Sequence, residues 1–227
     1  MSLLQGRVAL ITGASRGIGA ATGRTLADAG AQVALASRSG ANPGIDGALA
    51  QRCDVRDPAS LEAMVAATID RFGRLDILVV NAGVGSYGPF LDLPISDLDE
   101  MIDVNVKGAL YAVRAALPHL LGSDAADIVT IASEAGRRGL PLEAAYCASK
   151  FAQVGLTRAL DHELRERGVR CTSVCPGGVN TDVAMGRGRT PEIPVLAGMM
   201  TSPATPSLAV ITGHVVDIGR HGLPSFA

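Results

Sequence analysis

Along the chain, short apolar runs alternate with longer stretches in which apolar side chains recur every three to four positions. That alternation predicts repeated strand–helix–strand units and a parallel sheet covered on both faces. Residues 7–11 (Arg-Val-Ala-Leu-Ile) predict the first strand, nearly continuous in apolar residues as doubly covered strands are. A glycine-rich turn follows, then a helix from about Gly17 to Ala29, closed by Gly30. Residues 32–37 predict a second strand and residues 48–53 a weaker third. Asp57-Pro58 is a helix start, a side-chain acceptor followed by proline at the first helical position. Leu61, Met64, Val65, Ile69 and Phe72 form its buried stripe and Gly73 ends it. Beyond it the pattern predicts a fourth strand over 75–80 and a fifth over 127–132. Ser96 with Asp99 resembles a capping box before a long helix running to about Leu121. A helix over 146–167 stopped by Gly168 and a sixth strand over 169–174 complete the series. The expected fold is a doubly wound α/β sheet in a single domain over residues 1–227.

Two stretches break the rhythm. Residues 38–53 carry Gly40, Pro43, Gly44 and Gly47, leaving only 45–51 able to attempt a helix. A crossover with its helix needs about ten residues or more, so the second crossover is expected as a loop or single turn. The tail from Gly186 onward is rich in Gly, Pro, Thr and Ser, an irregular C-terminus with no convincing long helix before the apolar run 208–211.

Thr12-Gly13-Ala14-Ser15-Arg16-Gly17-Ile18-Gly19 sits directly after the first strand and opens the first helix. That context gives the glycine pattern its meaning as a dinucleotide-binding turn of Rossmann type. Gly13 permits a sharp turn, Gly17 lets the backbone approach a pyrophosphate, and Gly19 lets the helix pack on the sheet. The helix N–H groups and dipole then face the phosphates. An NAD site usually ends its second strand with an acid that binds the ribose hydroxyls. Here Ala36-Ser37-Arg38 has none. Arg38 and Arg16 are placed to pair a 2′-phosphate instead, which favours NADP(H) over NAD(H).

Tyr146 and Lys150 stand four apart on one predicted helix and share a face. A free phenol ionises near pH 10, and a nearby ammonium stabilises its anion. The tyrosine then becomes a workable general acid for a carbonyl being reduced, or base for an alcohol being oxidised. Ser133, at the carboxyl end of the fifth strand, can hydrogen-bond the same substrate oxygen.

Taken together, the chain from Arg7 to about Asp182 resembles the short-chain dehydrogenase/reductase family. The matching features stand in order: the TGxxxGIG loop, Asp54 after the third strand, and Asn81-Ala82-Gly83 after the fourth. Asn105, Ser133, Tyr146 with Lys150, and Pro176-Gly177 follow. The resemblance implies that Asn105 holds a water linking Lys150 to solvent, and that Lys150 contacts the nicotinamide ribose. It implies that Asp54 and Val55 border the adenine and that Asn81, Ala82 and Gly83 line the ribose side. Pro176, Gly177, Val179 and Thr181 would hold the nicotinamide carboxamide. It also implies a homodimer or homotetramer paired through the helices around 104–121 and 146–167. Three departures stand out: the shortened crossover, Val80 where many members carry asparagine, and the irregular tail.

Composition narrows the alternatives. Of 227 residues, 48% are hydrophobic and 19% charged, with a net charge of −2, so nothing basic points to nucleic acid or an anionic membrane. No apolar run approaches the roughly 20 residues of a membrane span, and Met1 to Leu10 lacks a basic lead-in for a signal peptide, so a cytoplasmic protein is expected. Cys53, Cys147, Cys171 and Cys175 form no CxxC pair, and no metal site is expected. The substrate is expected to be a small carbonyl or alcohol. The competing expectation is a dinucleotide-binding sensor or scaffold that does no chemistry.

Overall fold

The computed structural model describes residues 3–177. Six parallel strands, β1 (Val8–Thr12), β2 (Gln32–Ser37), β3 (Leu49–Arg52), β4 (Ile77–Val80), β5 (Ala126–Ile131) and β6 (Val169–Val174), form one sheet in the order 3-2-1-4-5-6. The order reverses between β1 and β4, which pair in the register Ala9 to Ile77. Open sheets with such a reversal bind ligands in the crevice beyond the carboxyl ends of their strands.

Among the described residues, five α-helices connect the strands: α1 (Gly17–Asp28), α2 (Pro58–Phe72), α3 (Ile95–Met101), α4 (Gly108–Leu120) and α5 (Ala144–Leu164). Every residue of β1 is buried, and alternate side chains serve opposite faces. Leu10 joins Leu61, Met64, Leu78, Val113 and Ile128 beneath α2, α4 and α5. Ala9 and Ile11 join Leu26, Leu35, Val79 and Ile131 beneath α1. Asp57 caps α2 by accepting from the Ala59 N–H at 3.0 Å, and Gly73 ends it in the left-handed conformation.

The second crossover is a loop, as its glycines predict. It nevertheless plugs the core, because Ile45 is buried beside Leu35 and packs on Gly23 of α1. Asn42 ties the turn, accepting from the Ile45 N–H at 2.8 Å and donating to its carbonyl at 3.0 Å.

The Ser96–Asp99 capping box does not form. Pro94 precedes α3 without a side-chain cap, and Ser96 lies inside the helix. The single helix expected to run to Leu121 is instead interrupted by a π-helical stretch, Ile102–Lys107, in which the Gly108 N–H reaches back to the Asp103 carbonyl. At the amino ends of the strands, buried Asp76 accepts from the Val8 N–H at 2.8 Å, from Ser123 and from Arg74. Buried Asp127 takes Arg170 and Arg7. These contacts stitch one end of the sheet together and leave its other end to the site. Among the described residues no helix is long and apolar enough to cross a membrane. The readings of Val179, Thr181 and the tail lie outside the described residues.

Candidate active site

The crevice between β1 and β4 is built around Thr12. Its hydroxyl accepts from the Asn81 and Ala82 N–H groups at 3.0 and 3.1 Å, and the Asn81 amide donates to the Thr12 and Gly13 carbonyls. The turn is therefore locked to the end of β4. Gly13 has φ +67°, and a Cβ there would stand 2.8 Å from the Ala82 Cα. A Cβ on Gly19 would meet the Gly13 carbonyl at 2.4 Å. Only glycine fits either position. Arg16, exposed, forms the N-cap of α1, which has no side-chain cap and no acidic residue in its first turn. Ser15 is half-buried in the turn, and Ile18 packs against the core beneath α1. This shape, with helix N–H groups not covered by a side chain, fits a dinucleotide pyrophosphate.

Beside it, Ser37 ends β2 buried and accepts from the Gly40 N–H at 3.1 Å. Arg38 is 59% exposed and 3.9 Å from Glu100, a loose contact on an otherwise solvated side chain. Asp54 follows β3, but its carboxylate is engaged by Arg56 through two-pronged hydrogen bonds of 2.6 to 3.1 Å. The Arg56 guanidinium holds that carboxyl below its usual range. Val55 is buried against Gly108, where any Cβ would come within 2.7 Å of it.

The chemistry-bearing residues converge around the first turns of α5. Tyr146 and Lys150 are both buried, and the Lys150 Nζ lies 5.7 Å from the centre of the Tyr146 ring. Tyr87 meets that ring edge-on, with centroids 5.3 Å apart. Ser133 follows β5 and caps a short turn, accepting from the Ala135 N–H. That turn lies hard against α5: a Cβ on Gly136 would stand 2.8 Å from the Lys150 carbonyl. The Glu134 N–H donates to the Pro176 carbonyl at 2.8 Å, which joins the ends of β5 and β6. Gly177 follows, exposed.

Asn105, fully buried in the π-helical stretch, is saturated. Its side chain accepts from the Val84 N–H and donates to the Val84 carbonyl and the Ser149 hydroxyl, each at 2.9 Å. A Cβ on Gly83 would fall 3.3 Å from the Asn105 Oδ1 and 3.6 Å from the Lys150 Nζ, so these three residues lie side by side. The Lys150 ammonium donates to the Ile131 carbonyl at 3.2 Å and to the Gln153 Oε1 at 2.8 Å. Burial pulls it down to about 8, with the Cys175 thiol acting in the opposite direction.

Sequence reasoning missed Gln153, although positions 146, 150 and 153 continue a single helical face. The four cysteines Cys53, Cys147, Cys171 and Cys175 are free thiols, and burial pushes Cys171 up to about 12.

A locked glycine turn at the reversal point of a parallel sheet, with a buried tyrosine–lysine pair at the same end, defines an oxidoreductase class. The chain belongs to the short-chain dehydrogenase family, whose model matches residues 7–192. It is therefore a nicotinamide-dependent dehydrogenase/reductase. It is similar to oxidoreductase UcpA of Escherichia coli K12, with 39% identity over 208 residues, 86% of this chain and 78% of that one. A short chain dehydrogenase from Burkholderia cenocepacia J2315 in complex with NADP superposes with a TM-score of 0.86 at 32% identity, covering 97% of this chain and 93% of its own. A 3-ketoacyl-(acyl-carrier-protein) reductase from Brucella melitensis complexed with NADH gives 0.87 at 28%, covering 95% and 91%.

The buried ammonium has a measurable cost. The folded chain releases the Lys150 proton at about pH 8, the unfolded chain at about 10.4, so between those values the unfolded state binds more protons and stability rises with pH. Wild type should gain on Lys150→Met by about 2 kcal/mol between about pH 7 and 9.5 in urea melts of the free protein. Below about pH 7 the difference should be flat. A difference independent of pH throughout would show that the lysine is not desolvated.

Proposed function

We propose that this chain moves a hydride between NADP(H) and a ketone, aldehyde or 3-oxoacyl group and the corresponding alcohol, with Tyr146 as the general acid or base. The observation that carries the proposal is the Lys150 ammonium, 4% exposed, held by neutral carbonyl groups beside the Tyr146 ring. A cation so placed favours the phenolate and brings Tyr146 into range for proton transfer at neutral pH. A binding module without chemistry has no use for so costly a charge, which speaks against a sensor or scaffold.

In the proposed reaction, Tyr146 delivers a proton to the substrate oxygen during reduction and removes it during oxidation. Ser133 donates a hydrogen bond to the same oxygen, whose negative charge grows in the transition state. Lys150 holds the charge that makes the phenol labile, and Asn105 fixes the wall behind it. The nicotinamide, when bound, supplies or accepts the hydride.

The residues assigned to the dinucleotide are Gly13, Ser15, Arg16, Gly17, Ile18 and Gly19 at the pyrophosphate and Ser37, Arg38, Asp54 and Val55 at the adenosine. Asn81, Ala82, Gly83, Tyr146 and Lys150 serve the nicotinamide ribose, with Pro176, Gly177, Val179 and Thr181 at the carboxamide. NADP(H) is favoured because β2 ends without an acid and Arg38 stands largely solvated at that end. The NADP complex of the Burkholderia relative is consistent with this choice, and the NADH complex of the Brucella relative sets the alternative to be tested.

The test is steady-state kinetics with the best substrate from a panel of ketones, aldehydes and 3-oxoacyl thioesters. Tyr146→Phe should lower kcat/KM by about 10²- to 10⁴-fold, far more than the loss of its ribose contact weakens NADPH binding. Wild-type rates in the phenylalanine variant would refute the assignment. Arg38→Ala should raise the KM for NADPH about tenfold and leave that for NADH unchanged. Equal changes for both cofactors would remove the argument for the 2′-phosphate.

A further inference from the structure

Gln153 has the geometry of a part in the machinery rather than a filler of the core. It is 1% exposed, one turn beyond Lys150 on α5. Its Nε2 donates to the backbone carbonyl of Asn105 at 2.8 Å, and its Oε1 accepts from the Lys150 Nζ at 2.8 Å. Each contact dictates the amide's orientation, and the two agree. A carbonyl oxygen can only accept and an ammonium can only donate, so the NH₂ must face Asn105 and the oxygen must face Lys150. The Gln153 backbone carbonyl is also anchored, by Thr157, whose hydroxyl in turn meets Thr130 on β5. The family resemblance gives Asn105 a water that links Lys150 to solvent. In this chain a carboxamide bridges Asn105 and Lys150 directly.

We propose that Gln153 is a positioning residue of the hydride-transfer reaction, bridging the Asn105 carbonyl and the Lys150 ammonium in the place of a water and holding the cation against Tyr146. This inference rests on the roles given to Tyr146 and Lys150 above. The bridge has a fixed polarity that a water lacks: it always offers Lys150 an acceptor. That acceptor is neutral, so it supports the ammonium without cancelling its field at the phenol. Among the described residues the titratable neighbours of Lys150 are Tyr146 on its own helix and the Cys175 thiol after β6, which itself feels Arg137 and Arg158. Ile131 from β5 and Asn105 from the π-helical stretch present only carbonyl groups to this contact network.

Three substitutions separate the bridge from ordinary packing. Gln153→Met keeps the bulk but offers neither donor nor acceptor, so the ammonium is weakened and the phenol becomes harder to ionise. Gln153→Glu keeps an acceptor for Lys150, but its carboxylate neutralises the field at Tyr146 and faces the Asn105 carbonyl with no proton to donate. Gln153→Ala opens a hole between two polar groups in which water can bridge.

The experiment is the pH profile of kcat for alcohol oxidation, with KM measured alongside. In Gln153→Met and Gln153→Glu the acid-side midpoint should move up by about one pH unit, and kcat at neutral pH should fall roughly tenfold with KM changed less than about twofold. Gln153→Ala should lie closer to wild type than Gln153→Met. Should Gln153→Met fail to fold, Gln153→Glu and Gln153→Ala carry the comparison. Midpoints unchanged in every variant, or an alanine variant displaced further than the methionine or glutamate one, would overturn the bridge. If those midpoints stay put while Tyr146→Phe is inactive, only this inference fails. An active Tyr146→Phe would remove the reading beneath it.

Discussion

The site depends on keeping one positive charge in a dry place where, among the described residues, its hydrogen-bond acceptors are neutral oxygens. Lys150 is almost completely buried and meets two neutral oxygens, the Ile131 carbonyl and the Gln153 amide. An ammonium removed from water is costly unless hydrogen-bonded. A carboxylate partner would lower that cost, yet it would also cancel the charge where the phenol needs it. The ammonium lies 5.7 Å from the centre of the Tyr146 ring, where a positive charge favours the anionic form of the phenol. Neutral acceptors preserve that effect.

Much of the surrounding structure serves this constraint. The Ser133 turn reaches α5 because Gly136 has no Cβ to strike the Lys150 carbonyl. The π-helical stretch coincides with Asn105, whose side chain is drawn to the Val84 backbone while its carbonyl receives Gln153. Helices widen where side chains compete for the ladder, and such widenings cluster at functional sites. At the opposite end of the sheet, Asp76 and Asp127 gather Arg7, Arg74 and Arg170, so strength and chemistry occupy different ends of the strands.

Strands β1, β2, β4 and β5 were legible because burial on both faces imposes nearly continuous apolar runs, and α2 because Asp57-Pro58 and Gly73 act through local backbone chemistry. The glycine turn was legible for the same reason, since Gly13 and Gly19 each answer a backbone approach that no other residue permits. The capping box misled because Ser96 and Asp99 have the right spacing, but Pro94 already fixes the helix entry and nearby Asp97 accepts from Ser86. The π-helical stretch left no mark in the periodicity, because it arises from contacts between Asn105 and residues 84 and 153, distant in sequence. Long-range pairs likewise decide that Arg38 leans toward Glu100. The partnership of Asp54 with Arg56 is two residues long, yet competes with the adenosine role the resemblance implied. Gln153 reads as an ordinary polar residue until α5 is placed against the end of β5.

The central claim is that Lys150 makes Tyr146 easier to ionise, and ultraviolet difference titration of tyrosinate measures it most directly. Subtracting the titration of a matched Tyr146→Phe variant isolates this phenol from Tyr87 and Tyr111, both with Lys150 intact and with Lys150→Met. Removing the ammonium should raise the isolated midpoint by about one to two pH units, on the order of 2 kcal/mol. An unchanged midpoint would mean that the buried cation does not act on the phenol, and the mechanism built on it would be wrong.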